Sequence, residues 1–406
     1  MKPLVVRAIL AIAVALPAAA HAQPVNNAPP DPTTPALLSV RPGGGLSVRS
    51  SDDRFALTLS SRAQVREAVV LPASGAATND LSLRTLRLTL AGHTFSRDVR
   101  YYVQLAFANA DLEPGGSPSP LYDAWIEWRR LRDLNVRVGQ FFVPFDRART
   151  TLESSLQLVD RSTVVSEFNL DRDVGVELSS RDLFGLGGRL AYAVGAFSGE
   201  GRNRAAAAPG CLFAGRLQVS PFGAFDDNVE ADLERSPRPR LAIGVAGAYN
   251  QQSTRARSTS GATFVLGGFD YAHAAADLHF NWRGLSVLAE GVWRHASEDR
   301  HTGTPMGATA AVTEWSRSGY GYLVQVGYAF TSHLELAARW GQLFAADGTD
   351  PSLVSALNTA GRELGGNVSW YVQGHPYKLQ ADYFVFFGDT LAGARQQVRV
   401  QVQATF

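Results

Sequence analysis

The chain of 406 residues contains very little cysteine or lysine. Cys211 is the only cysteine, so no disulfide can form within the chain. Lys2 and Lys378 are the only lysines, and the formal net charge of +1 gives no indication of a nucleic-acid partner. After residue 22 no uninterrupted apolar run reaches the length that a membrane-spanning helix needs. A long chain without disulfides needs another source of rigidity, and a closed β-sheet would supply it.

The first 22 residues have the three parts of a secretory signal peptide. Lys2 and Arg7 give a positive start, residues 8–16 are apolar, and Ala20-His21-Ala22 fits the small-residue pattern of a cleavage site. The alternative is a short N-terminal helix of a cytosolic protein. We predict a signal peptide over residues 1–22, followed by a flexible, Pro- and Gly-rich periplasmic linker over residues 23–53.

From residue 54 to residue 406, apolar and polar residues alternate with the period of two that is typical of half-buried strands. The polar stripe carries Arg, Glu, Asp or Gln on nearly every segment. A dry core would leave many of these charges unpaired at high cost, whereas a water-filled lumen solvates them and leaves the apolar stripe facing lipid. The pattern therefore predicts an all-β transmembrane antiparallel β-barrel of about 16 strands, rather than a soluble sandwich or propeller.

The connections between these segments alternate between short and long, as they do in outer-membrane barrels. The longest runs from about residue 143 to residue 173, after the fifth predicted strand, and is dense in charge. Long loops of this kind are usually functional. We expect it to fold into the lumen as a constriction loop; an ordinary external loop is the alternative. One connection departs from the alternation, because residues 222–240 fall on the short side but are long and acidic.

Several stretches of the chain resemble the phosphate-selective porin O and P family. They occur in order along most of the chain and include LRTLRLTLAGHTFSRDVRYYVQLAFA (83–108), LYDAWIEWRRLRDLNVRVGQFFVPFD (121–146), DRDVGVELS (171–179) and the closing RVQVQATF. The resemblance implies a 16-stranded outer-membrane barrel, commonly trimeric, that passes anions or other small solutes. Terminal Phe406 resembles the C-terminal assembly signal of such barrels. The phosphate specificity of the family depends on dense basic clusters along the pore, and these have no residue-by-residue match in this sequence. The resemblance therefore does not imply phosphate as the solute.

The polar stripe supplies the candidate pore residues, and its basic members outnumber its acidic ones. Rings of Arg favour anions in a pore, although Arg and acidic residues on neighbouring strands could equally pair to brace the wall. Besides Arg62, Arg66 and Arg87, which also lie on the stripe, the candidates for the pore lining and constriction are Arg137, Arg147, Arg149, Arg161, Arg172, Arg100, Arg216, Arg339, Arg399 and Glu127. The long loop itself holds four Arg against five acidic residues, which favours a mixed-charge constriction with a transverse field.

Two other classes of function were weighed against a porin. A barrel hydrolase needs a fixed nucleophile and base, but the sequence contains neither a G-x-S-x-G nor an H-E-x-x-H element. An adhesive barrel would bind a partner through long external loops, whose sequences name no ligand. We predict a non-enzymatic, cofactor-free porin in the outer membrane of a Gram-negative-type bacterium. Its expected partners are outer-membrane lipid, small anions or other solutes, and two further copies of the chain.

Overall fold

The computed structural model describes residues 37–112, 119–205 and 210–406. The predicted signal peptide and residues 23–36 of the predicted linker lie outside these ranges. The described residues form twenty β-strands and three short α-helices, here numbered in chain order. Eighteen of the strands belong to one sheet, so the all-β prediction is confirmed.

Sixteen strands pair antiparallel, each with its sequence neighbour, and the last strand pairs with the first from Gln396↔Leu71 to Thr405↔Arg62. This closure makes the predicted 16-stranded barrel and leaves no open edge along the wall. The barrel strands are β3 Phe55–Leu71, β4 Thr78–Thr94, β5 Ser96–Ala106, β6 Leu121–Trp128, β7 Asn135–Phe142, β8 Arg172–Ser180, β9 Leu190–Phe197, β10 Leu212–Val219, β11 Arg240–Ser253, β12 Phe269–Trp282, β13 Leu285–Ala296, β16 Gly319–Ala329, β17 Leu334–Ala345, β18 Arg362–Tyr371, β19 Tyr377–Phe387 and β20 Arg395–Thr405.

The two faces of each strand have opposite chemistry. On β16, Tyr322 and Val326 are 40% and 43% exposed on the outside, whereas Gln325 between them is 3% exposed on the inside. This is the reverse of a soluble barrel, where the outward stripe is polar. The period-two alternation in the sequence therefore records an apolar outer face suited to lipid and a polar inner face.

The connections divide into a short-turn end and a long-loop end, as predicted. A tight turn joins β12 to β13 through Arg283 and Gly284, whose φ angles of 51° and 89° match a two-residue hairpin turn. The long-loop end carries a small hairpin of β14 Arg300–Gly303 and β15 Val312–Trp315, and helix α3 Pro351–Ala360, which the Asp350 side chain caps. None of the described helices is long and apolar enough to cross a membrane.

The linker prediction does not hold for residues 37–49, which form an ordered hairpin. Strand β1 (Leu37–Arg41) pairs with β2 (Gly45–Arg49), and β2 pairs with the start of β3 from Leu46↔Leu59 to Arg49↔Ala56. Strand β20 pairs with β3 only from Ser61 to Leu71, and the hairpin pairs with the preceding part of the same edge of β3. The two strands, LLSVR and GLSVR, alternate apolar and polar residues on either side of a Gly-rich turn. The proline-rich composition of the surrounding segment favoured a linker over this hairpin.

Candidate functional site

The long connection between β7 and β8 folds into the barrel rather than away from it. It contains helix α1 (Arg147–Thr150), a 3₁₀ turn at Glu153–Ser155 and helix α2 (Thr163–Phe168). We call residues 143–171 the constriction loop. Its apolar side chains pack against the inner wall of β13, β16 and β17, and burial of each contributes about 1.5–3 kcal/mol. The loop members of this cluster are Val143, Phe145, Ala148, Val164, Val165, Phe168 and Leu170, and the wall members include Leu288, Val292, Leu323 and Leu343.

Gln157 anchors the tip of the constriction loop to the far wall. It is 1% exposed, and both its backbone and its side chain are hydrogen-bonded to residues distant in sequence. Its carbonyl oxygen accepts from Asn367 Nδ2 (2.8 Å) and Gln380 Nε2 (2.8 Å), and its side-chain Oε1 accepts from Gln325 Nε2 (2.8 Å). Its Nε2 donates to Glu335 Oε1 at 2.6 Å. One residue of the loop is thus fixed to β16, β17, β18 and β19.

The arginines at the ends of the constriction loop form ion pairs with the wall and with the loop itself. Arg147 Nε lies 2.6 Å from Asp277 Oδ1 on β12. Arg149 pairs with Asp171 at 2.6 Å, and Arg172 pairs with Asp123 on β6 at 2.8 Å. The Arg147 and Arg172 side chains are 4% and 2% exposed. Losing one partner of such a buried pair is strongly destabilising, so these residues hold the loop inside the barrel.

The other predicted pore residues also form ion pairs, most of them across neighbouring strands. Arg137 contacts Glu127 at 2.7 Å, and Arg100 lies opposite Glu127 in the register of β5 and β6 but has no ion pair among the described residues. The remaining contacts are Arg216–Asp277 (2.6 Å), Arg339–Glu363 (2.9 Å), Arg399–Asp382 (2.7 Å) and Arg161–Glu153 (3.1 Å). Most of these contacts therefore fit the alternative in which arginines and acidic residues pair with each other and stabilise the barrel wall.

The Arg216–Asp277 pair spans two strands because the strand between them carries a glycine. Arg216 lies on β10 and Asp277 on β12, with Gly244 of β11 between them. A Cβ atom at Gly244 would come within 2.1 Å of the Arg216 guanidinium. Glycine here gives the guanidinium room to reach the carboxylate.

A second group of arginines faces the constriction loop from the opposite wall. We call Arg62, Arg66, Arg84, Arg87 and Arg399 the arginine wall; they lie on β3, β4 and β20. The contacts reach two loop carboxylates: Arg66–Asp160 (2.8 Å), Arg399–Asp160 (3.5 Å), Arg84–Asp160 (4.0 Å) and Arg87–Glu153 (2.5 Å). A basic wall and an acidic loop edge thus oppose each other across part of the lumen.

The loop carboxylates are ionised because of these arginines. Burial alone would raise the pKa of Glu153, but Arg87, Arg161, Arg62 and Arg84 hold this pKa well below its usual range. Burial would likewise raise the pKa of Asp160, yet Arg66, Arg84 and Arg399 lower it. Both carboxylates therefore carry charge at neutral pH, and the opposed charges create a transverse field.

Arg62 is the exception within the arginine wall. Its Nε and Nη2 atoms are buried, and neither has a hydrogen-bond partner among the described residues. It lies opposite Arg87 in the register of β3 and β4. A guanidinium that faces another guanidinium and keeps two unpaired buried donors favours an anion.

Arg84 was not recognised as a lumen residue from the sequence, whereas Arg62, Arg66, Arg87 and Arg399 were. The reason is a β-bulge: Gln64 pairs with Thr85, but Val65 pairs with Leu83, so Arg84 is the extra residue. A bulge breaks the strict alternation. Nothing in the local sequence of β4 marks its position.

A cavity of about 820 Å³ occupies the short-turn end of the barrel, on the β6–β10 side of the lumen. Its lining mixes both signs of charge. Arg129, Arg137, Arg181 and Arg216 contribute positive groups, and Glu127 and Asp227 contribute negative ones. The cavity reaches Pro144, Arg147 and Thr150, so the constriction loop forms its inner boundary.

A buried carboxyl pair lies where the constriction loop leaves β7. Asp146 Oδ1 accepts from the Arg149 backbone N–H (3.1 Å), and Glu290 Oε2 on β13 accepts from the Ala148 N–H (2.9 Å). The second oxygen of each carboxyl has no hydrogen-bond partner among the described residues. Burial raises the pKa of Asp146 to about 7, against the opposing Arg149 guanidinium. Other charged or titratable groups nearby are Asp277, Arg161, Arg216 and His273.

The pKa of Asp146 predicts a pH-dependent channel. The docked loop holds a proton that a released loop, with an ordinary pKa near 3.8, would give up. Loop docking therefore weakens as the pH rises from about 4 through about 7. We expect the conductance of single channels in planar bilayers to rise between about pH 5 and pH 8, and the Asp146→Asn variant to lose this rise. Asp389→Asn, at an exposed loop carboxylate, is the control. An identical pH profile in Asp146→Asn would contradict the assignment.

A closed 16-stranded barrel with an apolar outer face, a charged lumen and an inward-folded loop after the fifth strand defines an outer-membrane porin. The model of the family described as phosphate-selective porin O and P matches residues 73–384. The chain belongs to this family, and the recognition made from the sequence is confirmed.

Solved structures of other outer-membrane channels share the fold at low sequence identity. The OmpF of Salmonella typhi, in a complex with daunomycin, is 12% identical, with 88% of this chain and 99% of that chain covered and a TM-score of 0.57. The DcaP channel of Acinetobacter baumannii is 14% identical over 88% and 99%, with a TM-score of 0.53. The OprB of Pseudomonas putida is 12% identical over 87% and 95%, also with a TM-score of 0.53. No curated protein sequence matches the chain.

Proposed function

We propose that this porin is a mildly anion-selective diffusion channel whose ion path runs between the constriction loop and the arginine wall. Six guanidinium groups and four carboxylates line this region, which leaves a net charge of +2. The carboxylates are Glu153, Asp160, Asp111 and Asp382, and the guanidinium groups are the five of the arginine wall and Arg161. Excess positive charge at a constriction favours anions.

The unpartnered Arg62 carries the proposal. The other arginines of the wall each contact a carboxylate, although Arg84 does so only at 4.0 Å. The charges of Arg62 and Arg84 are therefore the least compensated by carboxylates in the arginine wall. An ion 4 Å from one unit charge in water gains about 1 kcal/mol, which is about a five-fold change in local occupancy. A preference of this size suits general small anions better than tight binding of phosphate.

The selectivity is tested by removing the two available charges. We expect the Arg62→Ala/Arg84→Ala variant to lose most of its anion preference, seen as a shift of reversal potential toward the cation side under a salt gradient. Arg240→Ala is the control, because Arg240 is partly exposed and pairs with Glu234 at the short-turn end, away from the arginine wall. A reversal potential that is equal in wild type and double variant would contradict this path, and a wild type without conductance would contradict the porin.

We further propose a homotrimer and export by the predicted signal peptide. The trimer follows from the family resemblance, and chemical cross-linking of detergent-extracted protein tests it. Sequencing the N-terminus of the membrane-inserted protein tests cleavage after residue 22.

A non-enzymatic role completes the proposal. The described histidines His93, His279 and His333 contact backbone carbonyl oxygens of Asp53, Glu230 and Tyr371 rather than a serine hydroxyl. A nucleophile–base pair of the kind that hydrolases use does not involve these three residues. Ester or peptide hydrolysis by the refolded protein would revive the alternative.

A further inference from the structure

Residues 220–239 connect β10 to β11 at the short-turn end, and they depart from the pattern of that end. The neighbouring connections there are as short as the two residues between β12 and β13. This segment, which we call the inner strap, turns into the barrel instead. Glu230, Ala231 and Asp232 are 5%, 5% and 3% exposed. The sequence showed this connection to be long and acidic, and the porin function proposed above gives it no role.

The base of the inner strap is fixed to the rim of the barrel. The Asp232 carboxylate accepts from the backbone N–H of Ser236 at 3.0 Å and from that of Gly284, in the β12–β13 turn, at 2.7 Å. The Arg235 guanidinium donates to the carbonyl oxygens of Ala329 and Phe330 after β16. The strap is therefore attached to two turns of the wall and is not a loose tail.

The inner part of the strap contacts the constriction loop at two places. Glu230 Oε2 accepts from the Gln157 backbone N–H at 2.9 Å, and the Glu230 N–H donates to the Ser155 carbonyl at 3.3 Å. Asp227 Oδ2 lies 2.8 Å from Arg147 Nη1, and the Asp227 carbonyl accepts from the same nitrogen at 3.1 Å. The constriction loop enters from one end of the barrel and the strap from the other, and they meet inside.

These contacts satisfy groups that would otherwise be costly to bury. Without Glu230, the Gln157 N–H would be a buried donor without its partner, at a cost of about 1–3 kcal/mol. Without Asp227, Arg147 would lose one of its two carboxylates. The same two loop residues, Gln157 and Arg147, also anchor the loop to the wall. The strap thus supports the loop at residues that the wall also holds.

We propose that the inner strap is a positioning element that holds the constriction loop in place and thereby sets the bore of the channel, with Asp227 and Glu230 as its positioning residues. This inference rests on the proposed function in one respect, namely that the constriction loop borders the conducting path. The strap bonds to Ser155, Gln157 and Arg147 of the loop rather than to the arginine wall, so its expected effect is on the width of the channel. Releasing it lets the loop shift toward the 820 Å³ cavity at the short-turn end.

The test compares Asp227→Ala/Glu230→Ala with Glu234→Ala in planar bilayers. Glu234 lies on the same strap, but its side chain is 80% exposed and pairs only with Arg240 at 3.5 Å. We expect the double variant to conduct at least two-fold more per channel and to admit larger neutral polyethylene glycols, with the sign of the reversal potential unchanged. Glu234→Ala should match the wild type. A double variant with wild-type conductance and size limit overturns the inference, whereas a wild type without conductance overturns the proposed porin instead.

A disulfide lock separates positioning from a general loss of stability. In a Cys211→Ser background, Ser155→Cys/Glu230→Cys places two thiols at positions whose backbones are hydrogen-bonded. The reduced variant lacks Glu230 but keeps Asp227, and it should conduct more than the wild type. Oxidation should return its conductance toward the wild-type value, and reductant should reverse the change. Equal conductance in the two redox states, with the disulfide verified by mass, overturns the inference. Heat-modifiable gel migration confirms that each variant retains the barrel.

Discussion

Replacing residues 147–168 by a short glycine–serine linker is expected to raise single-channel conductance several-fold. These residues include α1, α2, Gln157 and both acidic groups that face the arginine wall. They fill the lumen from the β12–β13 wall across to β18 and β19. Removing them exchanges a packed constriction for water, so the channel approaches the cross-section of the empty barrel.

The barrel itself should survive this excision. Its closure depends on backbone pairing between β20 and β3 over residues 62–71, which does not involve the loop. Wall groups such as Asp277 and Glu363 lose loop partners, but they then face water, where an unpaired charge costs little compared with a dry site. Planar-bilayer recordings measure the effect, and heat-modifiable migration verifies folding.

A second loop variant controls for the replacement of loop residues by the linker. Residues 304–311, at the tip of the β14–β15 hairpin, lie on the long-loop end and are largely exposed. Replacing them by the same linker should leave the conductance unchanged. If the two variants conduct equally, the constriction loop lies outside the conducting path.

The barrel could be predicted from the sequence because a membrane imposes the same rule on every strand. An outward stripe such as Tyr320, Tyr322 and Val324 must be apolar, and the inward stripe faces water or the loop, so the period-two pattern is continuous. The position of the constriction loop followed from counting strands. Both inferences need only the alternation within each strand and the order of the strands along the chain.

The partners of the charged residues could not be predicted, because they are distant in sequence and depend on how the loop crosses the lumen. Arg147 could pair with any acidic residue on the inner stripe until the structure places it against Asp277 and Asp227. Arg339, predicted as a pore residue, donates to both Glu363 and the Asp160 carbonyl of the loop. A list of lumen-facing arginines therefore does not separate those that pair with a carboxylate from those, such as Arg62, whose buried donors have no partner among the described residues.

Neutralising the two loop carboxylates is expected to have the largest effect on ion selectivity. In the variant Glu153→Gln/Asp160→Asn the arginine wall keeps its charges and loses the acidic groups opposite it. The net charge of the region rises from +2 to +4, since two negative groups disappear. An additional unit charge about 4 Å from the ion changes its occupancy by about five-fold, so we expect a several-fold increase in the anion-to-cation permeability ratio.

The amide side chains keep the size of the carboxylates but only one of the two acceptor oxygens, so docking of the loop then depends on the contacts that the change leaves intact. Gln157 and the apolar cluster around Phe168 are untouched by the change. Glu234→Gln/Asp389→Asn removes the same number of charges at side chains that are 80% and 95% exposed, and should leave the reversal potential unchanged. Raising the salt concentration should shrink the difference between the two variants, because mobile ions screen the wall charges. A reversal potential that Glu153→Gln/Asp160→Asn leaves unaltered at low salt would place the ion path away from the arginine wall.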